Sequence, residues 1–398
     1  MLEGLEQPIA MRIINSLKDG VPSVEDIEYF SSSYNPLDPI IKSDLEEIST
    51  GNYGKVKFLN GSYGEGKSHF LSRVRKKAID DRFMVSMFAI SPRGVALDMM
   101  ERTFSELMKT LTTKGYMREG EETVIEFILS RWIRTVEDPE KELRNMALDR
   151  DLRAALTQVS KLIPQRNLYY RDLDILNGWF LADTHTVGDL RKRFGIFNHI
   201  TARNVFDIVK SLGKFFKKIG YKGWGILIDE QEIVSTLLTT RKRELTDQNI
   251  RILIDEQGSM DGIYVLFATT DEFFNDPVKG VVSYPALKTR ITKANTLDLP
   301  SIGKKEMEEI ALNLKEICQI AWKIFLRVTK GQLEECVRIA LERNIPSARA
   351  RTYVKSLIRL MESVRNGETE NPAKTFAEIY NITFNEVAIE REEATLET

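Results

Sequence analysis

Residues 58–71 read FLNGSYGEGKSHFL. Three glycines, a lysine and a serine stand between two apolar blocks, and the reading of that insertion decides the fold. Val56, Phe58 and Leu59 read as a short buried strand. Past Ser68, the apolar residues Phe70, Leu71, Val74, Ala78 and Ile79 fall on one helical face. The stretch is therefore strand, glycine loop, helix. Gly61, Gly66, Lys67 and Ser68 fill G-x-x-x-x-G-K-[ST] completely, which is the phosphate-binding loop. Glycine at positions 61, 64 and 66 admits backbone dihedrals that a Cβ would forbid, so the loop N–H groups can turn inward. Together with the positive end of the following helix they make an anion cradle. Gly61, Ser62, Tyr63, Gly64, Glu65, Gly66, Lys67, Ser68 and His69 are thus the candidate nucleotide-binding residues. In such a loop the lysine reaches the β- and γ-phosphates of ATP, and the Ser68 hydroxyl ligates Mg²⁺. The competing reading is a plain glycine turn at a strand–helix junction.

Outward from this loop, strands and helices alternate. FMVSMFAI (83–90) reads as a strongly apolar strand. Leu97, Met100, Phe104, Leu107, Met108 and Leu111 form a helical stripe, read as core packing. A helix marked by Val205, Ile208, Val209, Leu212, Phe215 and Phe216 precedes the strand GWGILIDE (223–230). IYVLFATT (263–270) is a further strand. Alternation of this kind predicts an α/β fold, a parallel sheet flanked by helices. Residues 112–200 are helical in pattern and charge-rich, and read as a helical insertion in a P-loop core spanning 51–300. Residues 1–50 read as an N-terminal helical segment, 301–365 as a C-terminal helical lid, and 366–398 as an acidic, frayed tail.

A phosphate loop needs partners that manage the metal and the attacking water. Asp229 and Glu230 end the apolar run GILIDE, where Asp229 would hold Mg²⁺ and Glu230 would orient and deprotonate water. Thr269 and Thr270 end the next strand, and either can sense the γ-phosphate; Thr270 is the preferred candidate. Arg290, in YPALKTRI (284–291), is a candidate finger reaching into a neighbouring subunit's nucleotide, against the commoner fate of a surface ion pair. Arg349 or Arg351 lies in the first turn of a lid helix, where a cation opposes the helix dipole and so points to an anionic partner.

Length and composition bound the rest. The chain has 398 residues, 42% apolar and 29% charged, enough for two or three domains. A net charge of -2 argues against a protein coated in positive charge, though not against a local basic groove. Basic residues cluster at 73–82, 191–194, 214–222 and 241–244, read mostly as solvated helix faces. LIPQRNLYYR (162–171) joins arginines to tyrosines that can stack on bases. Two cysteines and three scattered histidines suggest neither a disulfide framework nor a histidine metal site. The start lacks a signal-peptide core, no apolar run approaches membrane-spanning length, and the expected location is the cytoplasm.

The stretches GVPS (20–23), GSYGEGKSHFL (61–71), GYKGWGILIDEQE (220–232), NIRILIDEQGSMDGIYVLFATTDEFFND (249–276) and YPALKTRI, in that order, resemble the BrxC/BrxD ATP-binding family of BREX phage-defence systems. That family is AAA+-type, related to Orc/Cdc6 initiators and the STAND group. The chain's length is similar to that of the small BrxD members. The resemblance implies Lys67 and Ser68 as Walker A, Asp229 and Glu230 as Walker B, Thr270 as sensor 1, Arg290 as the finger, and Arg351 or Arg349 as sensor 2. It also implies homo-oligomers with ATP and Mg²⁺ at subunit interfaces, and an ATP-driven role in defence, beside a helicase or other defence-system protein and with DNA as a further partner. Two departures stand out. The family's glycine-arginine-glutamate signature is replaced by SSSYNPLDP (31–39), and the sensor 2 segment reads SARART. The reading is thus an ATPase that remodels or loads a partner on DNA. Its rivals are a nucleotide-gated switch or scaffold with little turnover, an ATPase stimulated by direct DNA binding, and a small-molecule kinase.

Overall fold

The computed structural model describes residues 2, 4–19, 25–33, 35–91, 95, 97–117, 122–166, 168–183, 190–230, 239–343 and 349–396, the last seven by backbone alone. The GVPS stretch, Tyr34, His185, Gln231, Glu232 and residues 344–348 lie outside the described residues.

Among the described residues one parallel sheet organises the molecule. Its strands are β1 (Lys55–Asn60), β2 (Met84–Ala89), β3 (Trp224–Asp229), β4 (Ile263–Thr269) and β5 (Thr296–Asp298), in the order β2-β3-β4-β1-β5. The strands WGILID and IYVLFAT are buried at every position, as expected for central parallel strands covered on both faces. Side chains alternate between two cores. Ile263, Val265 and Phe267 of β4 join one cluster, while Tyr264, Leu266 and Ala268 join the other. In β3, Ile226 and Ile228 face the first core and Leu227 the second. The period of two is that of a pleated strand.

The helices are α1 (Gln7–Lys18), α2 (Ile27–Phe30), α3 (Asp38–Thr50), α4 (Lys67–Asp80), α5 (Met100–Thr110), α6 (Val124–Trp132), α7 (Pro139–Asn145), α8 (Arg150–Leu162), α9 (Tyr170–Phe180), α10 (Val205–Lys218), α11 (Thr240–Asp255), α12 (Asp271–Asn275), α13 (Pro285–Lys288), α14 (Lys304–Trp322), α15 (Lys330–Glu342), α16 (Arg349–Arg365) and α17 (Pro372–Leu396). Helices α3 and α4 cover one sheet face; α5, α10 and α11 cover the other, continuous with α6 to α9. The stripe expected around residues 100–108 packs as core, with Met100, Phe104, Leu107 and Met108 buried.

A third core stands apart from the sheet. Ile13, Ile14 and Phe30 from α1 and α2 are buried with Met307, Leu314, Leu357, Met361, Phe376 and Tyr380 of the C-terminal helices. The two ends of the chain therefore pack into one helical unit. Residues expected to fray form the helix α17, with Phe376, Tyr380, Thr383 and Val387 buried. These recur at intervals of four, three and four, a helical face that the surrounding charge obscures. The strand β5 was not expected either, because three residues carry no readable period.

Candidate nucleotide pocket

In the order β2-β3-β4-β1-β5 the first strand lies between the fourth and fifth, so connections leave β1's two flanks in opposite senses. Open α/β sheets place ligands at the carboxyl ends of the strands beside such a switch. The register puts the ends in line: Asn60 of β1 pairs with Thr269 of β4 and with Asp298 of β5.

The chain leaves β1 into the glycine loop and enters α4 at Lys67. Gly64 and Gly66 have φ of +72° and +99°, values that an L side chain adopts only under strain. At Gly61 an added Cβ would lie 3.2 Å from the Cβ of Leu299 and 3.3 Å from Cγ of Lys67. A side chain there would crowd Leu299 and Lys67, which would have to give by a few tenths of an ångström. Lys67 is buried, and its amine donates to the carbonyls of Gly61 (3.0 Å) and Ser62 (3.3 Å). Glu65 folds onto the loop: one carboxylate oxygen accepts from the Ser62 N–H at 3.0 Å and the other from the Ser301 hydroxyl at 3.0 Å.

Asp229 ends β3 and is 7% exposed. Burial pushes its carboxyl above the ordinary range, against the hydrogen bond from Ser68, the Glu230 N–H at 3.0 Å and the charge of Lys67. Ser68 at the start of α4 and Asp229 at the end of β3 thus meet. Glu230 follows with φ of +58°, left-handed for a residue with a side chain. Such outliers are held in place by their surroundings and cluster at functional sites. Asp229 and Glu230 line the same cavity as Lys67, Ser68 and His69, a space of about 270 Å³.

The opposite wall comes from the helical unit. Phe30, Pro300, Ile302, Ile310 and Val354 face the cavity. Arg351 brings α16 onto the loop, its backbone N–H donating to Gly64 O at 3.2 Å and its guanidinium to the Tyr63 hydroxyl at 3.1 Å. Ser32 and Asn35, in the segment that replaces the glycine-arginine-glutamate signature, also line the cavity. That segment is clamped to α4. Arg73 donates to the Ser32 carbonyl (2.6 Å) and pairs with Asp38, which also pairs with Lys77 (2.6 Å). Burial would raise the Asp38 carboxyl, but Arg73 and Lys77 outweigh it and hold it below its usual range. From the lid side, Glu309 accepts from the Ser33 N–H and hydroxyl at 2.9 and 3.1 Å.

His69 is pushed down to about 4, chiefly by burial and then by Arg73. Its Nε2 lies 3.0 Å from the Ser31 hydroxyl, which donates its own proton to Ile27 O. The neutral ring therefore carries its proton on Nε2, facing Ser31.

Not every expected site residue reaches this cavity. Thr269 is buried with its hydroxyl on Leu59 O at 3.3 Å. Thr270, buried at the cap of α12, and Arg349 do not line the space, and neither do Gly61 and Ser62, which close the loop's base. Arg290 lies elsewhere, after α13. Its Nε donates to Asp255 at 2.6 Å and an Nη to Ala286 O at 2.6 Å. The apolar wall escaped sequence reading because Phe30, Ile302 and Ile310 carry no motif. The run LPSI (299–302) directly after β5 is the one local hint that the chain turns back over the loop.

Among the described residues no helix is long and apolar enough to cross a membrane. Among the same residues no group of three or more His, Cys, Asp or Glu could hold a metal ion.

The fold is similar to the ORC2 protein of Aeropyrum pernix in its ADPNP–ADP complexes: 13% identity, TM-score 0.47, 89% of this chain and 71% of that one. It is also similar to the Walker-type ATPase PABY2304 of Pyrococcus abyssi, at 14% identity and TM-score 0.40, covering 90% and 76%. A third similar structure is Cdc6p of Pyrobaculum aerophilum, at 13% identity and TM-score 0.38, covering 86% and 67%. No curated protein matches the sequence. The model of the family described as BREX system ATP-binding protein BrxC/D matches residues 6–380. With nearly the whole chain matched, and a P-loop at the switch point of a parallel sheet, this protein belongs to the BrxC/BrxD family of BREX system ATP-binding proteins.

Proposed function

We propose that this chain hydrolyses ATP with Mg²⁺ as an AAA+-type oligomer, and that turnover drives the remodelling or loading of a partner on DNA in phage defence. The observation that carries the reading is the meeting of Lys67, Ser68, Asp229 and Glu230 at the carboxyl ends of β1 and β3, in one cavity. The donor set fits the group it would hold. The loop carries glycine where φ is positive and where a Cβ would crowd Lys67, and a buried ammonium stands beside a hydroxyl–carboxylate pair. Mg²⁺ is usually bound through one or two protein oxygens plus phosphate and water, so a larger acidic cluster is not required.

In this reading Lys67 exchanges its contacts with the Gly61 and Ser62 carbonyls for phosphate oxygens. Ser68 and Asp229 would hold Mg²⁺, which when bound neutralises charge on the phosphates. Glu230 takes the proton of the attacking water. Arg351 touches the loop from the lid and reports a third phosphate to α16, and Thr270 relays nucleotide state along β4. Phe30, Ile302 and Ile310 give the base an apolar seat. Arg290, half-buried and away from its own chain's cavity, would serve a neighbour's once its ion pair with Asp255 opens, and a pair at the solvent boundary is weakly held.

The test is phosphate release against protein concentration for wild type, Lys67→Ala and Arg290→Ala. Specific activity should rise with concentration, Lys67→Ala should lose nucleotide binding, and wild type should rescue an Arg290→Ala mixture only in part. Activity independent of both concentration and Arg290 would replace the shared site with a monomeric switch.

A further inference from the structure

The insertion carries a surface that the ATPase reading leaves unused. Phe197 is 48% exposed, yet it is far from loose. Asp151, buried at the start of α8, accepts the N–H of Phe197 at 3.0 Å, and from Asn198 the backbone N–H at 3.1 Å and the side-chain amide at 2.8 Å. The indole N–H of Trp179 donates to Asn198 O at 2.9 Å. A buried carboxylate and a buried indole thus hold an outward phenyl ring in place. Two guanidiniums stack on that ring, Arg150 at 4.2 Å and Arg191 at 4.9 Å from its centroid.

The neighbouring side chains extend the pattern. Arg193, two residues beyond Arg191, pairs with Asp172 of α9. This contact ties the segment that carries Arg191 to the start of α9, where Tyr170 is 62% exposed and Arg171 is exposed beside it. Lys192 is exposed between the two arginines, and Asp174 is the nearby exposed acid. Here Phe197 is held outward, and both rings are interleaved with cations.

We infer that the Phe197–Arg150–Arg191 stack, with Tyr170 and Arg171, is a binding surface for single-stranded nucleic acid. Bases stack on the exposed Tyr170 ring and on the guanidiniums that Phe197 supports, and such planar platforms accept any base because every base has a π-face. Guanidiniums lie flat against base or phenyl faces and reach the phosphates at their edges. A duplex offers only its phosphates here, since its bases are already stacked. The chain's net charge of -2 means that attraction is local to this patch. The inference deepens the proposed role by placing the strand on the insertion, and it rests on that role for its purpose alone.

The experiment is fluorescence anisotropy of the full chain with a labelled oligo-dT, an oligo-rU of the same length and a DNA duplex, at about 50 and 200 mM salt. Wild type should bind a single strand at least about tenfold more tightly than the duplex. Tyr170→Ala and Phe197→Ala should each weaken single-strand binding about tenfold with the salt slope unchanged. Arg191→Ala should weaken it and lower the slope by about one. The dT and rU arms separate DNA from RNA as the source of the strand. ATP turnover without nucleic acid should stay at the wild-type level in every variant, so folding and the ATPase reading are followed separately. Equal affinity for strand and duplex, or single-strand binding untouched by both ring variants, overturns the inference; so does no binding at all.

Discussion

The nucleotide pocket has two walls of different origin. One is the carboxyl edge of the sheet, where Lys67, Ser68, Asp229 and Glu230 are held by strands buried on both faces. The other belongs to the helical unit, whose core of Ile14, Leu314, Leu357 and Tyr380 is separate from the sheet's. The first wall carries most of the charges, and the second is mostly apolar, with Arg351 and Glu306 as its charged groups. A rigid sheet suits groups that must meet reacting atoms within fractions of an ångström. A separately cored unit can shift as a body when the ligand changes. In the proposed function, chemistry and readout would then occupy opposite sides of one cavity.

The sharpest way to break this division is Glu230→Gln. Turnover should fall by about a hundredfold or more, as removal of a general base does, while ATP affinity stays close to wild type; stopped-flow phosphate release beside equilibrium binding decides it. Unchanged turnover would remove the sheet wall's catalytic role. On the lid side, Arg351→Ala should cost about tenfold in the preference for ATP over ADP, the range of a charged hydrogen bond. Arg349→Ala, outside the cavity, should cost far less. Competition binding with both nucleotides separates the two, and equal losses would undo the distinction between them.

A smaller effect tests the seam between the walls. His69 is pushed down to about 4, first by burial and then by Arg73, whereas an unfolded histidine titrates near 6.5. Between those values the unfolded chain takes up a proton that the folded chain refuses. Stability is therefore intact above the unfolded value and declines as pH falls through the window toward about 4. In His69→Gln this part of the decline should vanish. Melting temperatures followed through the window give the answer; parallel curves for both proteins would mean that the ring is not buried against Ser31 and Arg73.

The same division explains what could be read in advance. The loop, β1, β2, β3 and β4 were legible because central parallel strands are continuous apolar runs and the phosphate loop fixes residue types at fixed spacing. Asp229 and Glu230 were legible from where GILIDE stops. The second wall was not, because an apolar seat needs only bulk, and bulk at Phe30, Ile302 and Ile310 looks like any core. Position in the chain also misled: α1 and α17 are far apart in sequence yet share one core. Spacing alone left Arg349 and Arg351 equivalent. The contacts of Arg351 with Tyr63 and Gly64 are tertiary and separate them.

The central claim is that one nucleotide bridges both walls. The most direct test is hydrogen exchange of the Glu230→Gln protein with and without Mg-ATP. The account predicts slowed exchange at two places together: the loop and first turn of α4, and the lid segments around Ile302, Ile310 and Arg351. Protection confined to the loop and α4, with the lid exchanging as before, would contradict it.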